Sequence, residues 1–301
     1  MKSLLEVAGL SKQALWKSEK RAAVELDMER RIVSYISKVR TNHRQMGCRK
    51  MYFIDPEQHS VGRDTFERIG FKYGFKVKQK HNPMRTTWAQ RVEVFDNLIN
   101  GLTIDGINQL WQSDIFYIDV EHTPYYGICI EDVYSRRLLA LHVSQSLRAE
   151  ENILALKKAI KARAGYRLHQ CIFHSDRGSQ YISTKHKELL RSMGMRISMA
   201  SVAQENAYVE RINGIIKNEY LLQWELTKGN LKENAKKAMD FYNNERPHRN
   251  LGMLTPAAFE QSISHGTSKP SITIYNWNNH LNSRTKIINE EQIQNLNNLT
   301  R

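Results

Sequence analysis

At 301 residues with 41% hydrophobic content, the chain has room for two or three domains, by the rough prior of about 150 residues each, and enough apolar material for a core. Its formal net charge of +14 points to an anionic partner. Three cysteines, none in Cys-x-x-Cys spacing, argue against a disulfide framework or zinc cluster, and no apolar run of roughly 18 residues offers a membrane span.

The start lacks the apolar core of a secretory signal, so a cytoplasmic, nucleoid-associated location is expected. The charge is uneven. The first 92 residues hold 20 Lys and Arg against 9 Asp and Glu, an excess of 11, while the other 209 residues carry only +3. That polarity fits a DNA-holding domain joined to a less basic one.

Residues 1–80 read as helices with short breaks. Ser11 is an N-cap candidate for a short helix running to Trp16. A second helix is expected over residues 25–40, where Leu26, Ile32, Val33, Ile36 and Val39 recur at helical spacing. Two shorter segments follow, from Gly47 to Ile54 and from Gly62 to Ile69. Short helices with tight turns, carrying Arg49, Lys50 and Arg63, suit a helix-turn-helix module. Residues 81–108 read as a linker broken at Pro83.

From Gln109 the pattern becomes mixed α/β. Strands are expected over residues 114–120, 125–133, 137–143, 168–173 and 196–199, with helices over 150–164, 184–193 and 206–220. Three consecutive strands able to form a meander, then alternating helices and strands, predict a mixed sheet. The domain reading is residues 1–80 for DNA, 81–108 linker, 109–265 catalytic core and 266–301 tail. The Asn-rich tail after Ile274 is polar enough to stay partly mobile.

Three acids stand out. Asp114 sits at an expected strand start, Asp176 just after a strand beside Gly178, and Glu210 on an expected helix. Carboxylates from separate elements can converge to hold two Mg²⁺ ions, the arrangement that clamps an in-line phosphoryl displacement. Gly178 is expected to allow a sharp turn. Lys217, seven residues past Glu210, is expected on the same helix face, where it can hold a phosphate. Asp119, Glu131 and Asp132 are rivals in the same sheet, and spacing alone does not choose among them. His174 is either structural or a phosphate contact. Trp111 reads as core rather than a stacking platform. Arg246, His248 and Arg249 either contact DNA or cap a helix.

The run Trp111-Gln112-Ser113-Asp114-Ile115-Phe116-Tyr117-Ile118 resembles the first signature of insertion-sequence transposases of the IS-three family. Asp132-Val133-Tyr134-Ser135-Arg136, His174-Ser175-Asp176-Arg177-Gly178, Glu205-Asn206-Ala207-Tyr208-Val209-Glu210-Arg211 with Lys217, and Tyr242 to Leu251 resemble its later motifs, in order. Gly47 to Tyr52 and Gly62-Arg63-Asp64 are similar to the helix-turn-helix segment of its second-frame product.

The resemblance implies an RNase H-like, retroviral integrase-type core. It also implies catalysis by Asp114, Asp176 and Glu210 on two Mg²⁺ ions, with Mn²⁺ as substitute. One strand at an element end would be cut and its 3′-hydroxyl joined to the other end, giving a figure-eight and then a circle. The implied partners are double-stranded DNA, further copies of the chain on that DNA, and a first-frame product fused or bound to it. Arg177 and Arg211 join Lys217, Arg246, His248, Arg249, Arg49, Lys50 and Arg63 as candidate DNA contacts. One departure stands: 33 residues separate Asp176 from Glu210, two fewer than the family usually carries, so that the usual spacing would fall on Ile212. The alternatives are a catalytically silent DNA-binding regulator and an RNase H-like nuclease without a joining step.

Overall fold

A computed structural model describes residues 11–55, 57, 59–77, 95–264 and 271–275. The chain divides into two compact units, Met1–Pro83 with Pro247–Met253, and Met84–Arg246 with Leu254–Arg301. The tail beyond residue 275 and the first part of the expected linker lie outside the described residues.

The first unit is helical. α1 (Lys12–Asn42) begins at Ser11, whose hydroxyl accepts from the Ala14 amide. The two helices expected before residue 40 are therefore one: the intervening Lys17 to Val24 contains neither Gly nor Pro, so nothing ends the helix. α2 (Cys48–Tyr52) and α3 (Arg63–Lys72) follow. Ile32 and Ile36 of α1 pack with Met46, Cys48, Met51, Phe66 and Ile69. Buried Glu29 ties α1 to the end of α3, accepting from Lys72 Nζ at 2.7 and 2.8 Å and from Tyr73 Oη at 2.7 Å.

The second unit is built on a five-stranded sheet. β1 (Thr103–Ile104) pairs with β7 (Ile272–Thr273) in a separate two-stranded sheet, and Ile99 and Ile104 are buried. Residues 95–108 are thus part of this unit rather than a linker, because their apolar positions have a core to enter. The main sheet comprises β2 (Leu110–Val120), β3 (Thr123–Asp132), β4 (Arg137–Ser144), β5 (Ile172–Ser175) and β6 (Arg196–Met199). Their spatial order is β4-β3-β2-β5-β6. The first three form an antiparallel meander, while β5 and β6 join β2 in parallel. A meander extended by two parallel strands is the RNase H-like arrangement expected from the sequence.

Helices α4 (Ala149–Ala162) and α5 (Thr184–Ser192) cover one face. There Trp111, Ile128, Ile130 and Leu139 meet Ala155, Leu156, Ala159 and Leu190. Trp111 is core, as expected, with Nε1 donating to Asn108 Oδ1 at 3.3 Å. On the other face Phe116, Ile118 and Val120 alternate inward. They pack under α6 (Ala207–Ile215), the π-helical turn Ile216–Tyr220 that extends it, and α7 (Leu231–Asn244). α8 (Pro256–Ser264) completes the unit. No helix among the described residues is long and apolar enough to cross a membrane.

Candidate active site

β2 and β5 run in parallel register from Leu110↔Ile172 to Ser113↔Ser175, and there β5 ends. β2 continues with β3 alone, Asp114 standing opposite Cys129. Asp114 and Asp176 are thus the first residues after the two strands part. This is the carboxyl-terminal crevice beside a switch in strand order, where α/β sheets hold their ligands. Asp114 lies mid-strand rather than at a strand start, because Leu110 to Ser113 ahead of it are already paired with β5.

Asp176 Oδ1 accepts from the Gly178 amide at 3.0 Å. Gly178 does not serve as a left-handed turn residue, since its φ is −64°. It serves by having no side chain: a Cβ there would stand 2.9 Å from Asp176 Oδ1.

Glu210 lies on the first turn of α6, and three side chains staple that helix to β2. Gln112 donates from Nε2 to the Glu205 carbonyl at 3.0 Å and accepts from the Val209 amide at 3.4 Å. Asn206 Nδ2 donates to the Ser113 carbonyl at 3.1 Å, and Asn213 Nδ2 donates to Asp114 Oδ2 at 2.9 Å. The shortened loop is closed by Glu205, whose carboxylate accepts from the Ser201 and Val202 amides and from Asn100 Nδ2. Ile212, the position of the usual family spacing, is 2% exposed in the core. Sequence reasoning missed Gln112, Asn206 and Asn213. The available signal was amide side chains four residues before and three after Glu210, on the face that must meet the sheet.

The three acids lie within electrostatic reach of one another. Burial, then the charges of Asp176 and Glu210, push the Asp114 carboxyl up to about 7 despite the Asn213 bond. Asp176 is raised by burial, offset in part by the Gly178 amide, and Glu210 is raised by burial and by Asp176. None of the three is ion-paired to Lys or Arg among the described residues. As posed, no three His, Cys, Asp or Glu side chains among the described residues stand close enough to grip one metal ion together.

Two of the three rival acids are otherwise engaged. Asp132 is fully buried and accepts from the Asn108, Tyr134 and Ser135 amides and from Arg163. Burial lifts the Glu131 carboxyl to about 8, and its two oxygens are buried without a hydrogen-bond partner among the described residues. Asp119 is exposed, where it accepts from the His122 amide at the hairpin turn. His174 is completely buried with Nδ1 2.8 Å from Ser198 Oγ, and burial lowers it to about 4. It is a neutral structural group.

Lys217 follows the change from α to π geometry. Its half-buried amine stands 5.9 Å from the centroid of the Tyr117 ring and is lowered by burial. Arg211 and Arg177 are exposed, the latter with Nε donating to the Ala200 carbonyl at 3.0 Å. Arg246 corrects the expectation of a DNA contact. It is 2% exposed and grips Glu219 with two bonds of 2.8 Å, an internal clamp with no face left for a phosphate. In the first unit, His248 is buried and Arg249 exposed. Arg49 pairs with Glu67 and Arg63 with Asp64 at the surface, while Lys50 is half-buried.

Comparison with known proteins identifies the family. Two family descriptions, both named Integrase core domain, match residues 105–204 and 193–256. The chain is 30% identical over 213 residues to the insertion element IS600 uncharacterized 31 kDa protein of Shigella sonnei, covering 67% of this chain and 75% of that protein. It is 28% identical over 227 residues to the transposase for insertion sequence element IS629 of Shigella sonnei, covering 73% and 75%. Among solved structures, the HTLV-2 integrase catalytic core domain in complex with magnesium is 22% identical with a TM-score of 0.42, over 54% of this chain and 98% of that one. With an integrase-type core spanning the second unit and insertion-sequence proteins as relatives over most of their length, the chain belongs to the insertion-sequence transposases of the DDE/integrase superfamily and is a DNA transposase.

Proposed function

We propose that this transposase cuts and joins DNA at insertion-sequence ends by metal-dependent phosphoryl transfer, with Asp114, Asp176 and Glu210 as its catalytic carboxylates. One observation carries the reading: carboxylates from three separate elements sit within electrostatic reach, partly desolvated, with none of them ion-paired to Lys or Arg among the described residues. Such a set is unfavourable until a cation arrives. Carboxylate oxygens are the ligands that hard divalent ions take, so the donor set suits two Mg²⁺ ions, with Mn²⁺ as a substitute. When bound, these ions supply charge neutralisation and Lewis acidity at the scissile phosphate.

The chain's own groups do the rest. Asn213 holds the Asp114 carboxylate in one orientation, and the Gly178 amide does so for Asp176. The half-buried Lys217 amine offers a positive charge on the Glu210 helix for a DNA phosphate. Exposed Arg177 and Arg211 flank the acids, and Arg49, Lys50, Arg63 and Arg249 hold the DNA backbone, the helical segments of the first unit acting as a helix-turn-helix module. Two element ends must meet, so the chain acts as a multimer on DNA, alone or with a first-frame product.

The purified protein with Mg²⁺ or Mn²⁺ should nick and join labelled element ends. Asp176→Asn should abolish both reactions and leave DNA binding intact. Undiminished activity in that variant would remove the proposed chemistry, and hydrolysis of RNA–DNA hybrids with no joined product would point to a nuclease.

A further inference from the structure

We propose that Tyr117, Tyr126 and Lys217 form a subsite for the nucleotide that flanks the scissile phosphate, the tyrosines taking its base and Lys217 its phosphate. The proposal rests on the catalytic reading above. Tyr117 and Tyr126 stand opposite each other across the β2–β3 pairing. Their rings are 6.1 Å apart at an interplanar angle of 62°, and both are half-buried. Neither ring packs into either of the two core layers of the sheet. The alternate residues Phe116 and Ile118 enter the core under α6 and α7, so the tyrosines mark the face of the hairpin that those helices leave open.

A cross-strand aromatic pair steadies a hairpin by itself, but that does not explain Lys217. Its amine is partly desolvated, lies 5.9 Å from the Tyr117 centroid, and has no acid partner among the described residues. The nearby acid, Asp119, is engaged by the His122 amide at 3.1 Å and by Tyr117 Oη at 3.4 Å. A partly desolvated ammonium beside open aromatic rings is suited to an incoming anion that carries a flat apolar group, which describes a nucleotide. Its position is also suitable. Tyr117 lies three positions along β2 from Asp114, roughly 10 Å, and on the opposite face of the pleat; Lys217, from the helical segment over the Asp114 face, still reaches its ring, beyond the point where β5 ends. Lys217 extends from the same helical segment as Glu210.

The test places 5-iodouracil at each nucleotide flanking the scissile phosphate of an element-end duplex bound to the full chain. Irradiation should cross-link it to Tyr117 or Tyr126, identified by mass spectrometry. Tyr117→Leu and Tyr126→Leu should raise KM for that DNA by roughly tenfold, the scale of one base–aromatic stack, at nearly unchanged kcat, and the Phe variants should behave as wild type. Cross-links confined to other residues, or Leu variants with unchanged KM, would overturn the subsite. If the Leu variants fail to fold, the wild-type cross-link decides. A wild-type protein that nicks the duplex without cross-linking refutes the subsite alone, whereas one that neither nicks nor joins, with or without the first-frame product, refutes the catalytic reading.

Discussion

Two acidic clusters sit on the main sheet, and their treatment differs. Around Asp132, Arg163 reaches Asp132 Oδ2 at 3.5 Å and Glu260 Oε1 at 2.5 Å, Arg137 adds a bond to Glu260 at 2.9 Å, and backbone amides fill the rest of Asp132. Burial would raise Glu260, yet Arg163, Ser135 and Arg137 outweigh it and hold that carboxyl below its ordinary value. Around Asp114, no arginine or lysine is ion-paired to any of the three acids among the described residues, and the carboxyl rises to about 7. Both clusters combine a carboxylate at a strand end, Asp132 or Asp176, with one from a helix, Glu260 or Glu210. One is completed internally and serves the fold; the other is left incomplete and so is available for an external cation.

The largest test of this contrast is Arg163→Ala. Arg163 is 3% exposed, and its loss removes the cation that Asp132 and Glu260 share and leaves Asp132 fully buried without one, so unfolding free energy should fall by about 3–5 kcal/mol in denaturant titration. A loss under about 1 kcal/mol would mean that the cluster is solvated after all. Gly178→Ala probes the other side. A methyl 2.9 Å from Asp176 Oδ1 must displace the carboxylate, so strand cleavage should fall by about 10²-fold, as for an ~1 Å misplacement of a reacting group, with the thermal midpoint little changed. Full activity in this variant would show that Asp176 does not need its present orientation.

The strands of the meander were legible as short runs of aliphatic and aromatic residues bounded by turns, with alternation in the second half of β2. The start of β2 was not, since Leu110 to Ser113 are buried on both faces between β3 and β5 and lose the alternation. The three acids proposed as catalytic were singled out through their motifs. Bottom-up reading could not separate Asp114 from Asp132, and the reason is physical: what distinguishes them is Arg163 and Glu260, 31 and 128 residues away from Asp132 in the chain. Arg246 was misjudged for the same reason, its partner Glu219 being 27 residues upstream. Lys217 was placed by regular α-helical spacing, which the π turn at Ile216–Tyr220 interrupts.

A smaller effect separates the clusters by pH. The folded-state value of Asp114, about 7, exceeds its unfolded value of roughly 4. The native state therefore binds the extra proton between these values, and the contribution of Asp114 to stability declines as pH rises through that window. His174 and His186, both lowered to about 4 by burial, act in the opposite direction, so the comparison must be between variants. In metal-free protein, Asp114→Asn should match wild type near pH 4 and exceed it by on the order of 2 kcal/mol at pH 8. Saturating Mg²⁺ should narrow that gap by stabilising wild type alone. A gap independent of pH would mean that Asp114 is ordinary.

The finest distinction concerns Asn213. Its Nδ2 donates to Asp114 Oδ2 at 2.9 Å, while its own Oδ1 is buried with no partner among the described residues. In the completed cluster every bond to Asp132 comes from groups that also hold the fold, whereas Asn213 spends one donor on a carboxylate and leaves an acceptor facing no donor. That arrangement favours orientation of Asp114 over stability. Asn213→Ala should thus raise the Mg²⁺ concentration for half-maximal strand cleavage by about tenfold, the lower end of the range for residues that orient a metal ligand. The rate at saturating metal should be nearly restored, and Mn²⁺ binding followed by electron paramagnetic resonance should weaken in parallel. If stability falls while metal dependence is unchanged, Asn213 belongs with Gln112 and Asn206 as a helix staple.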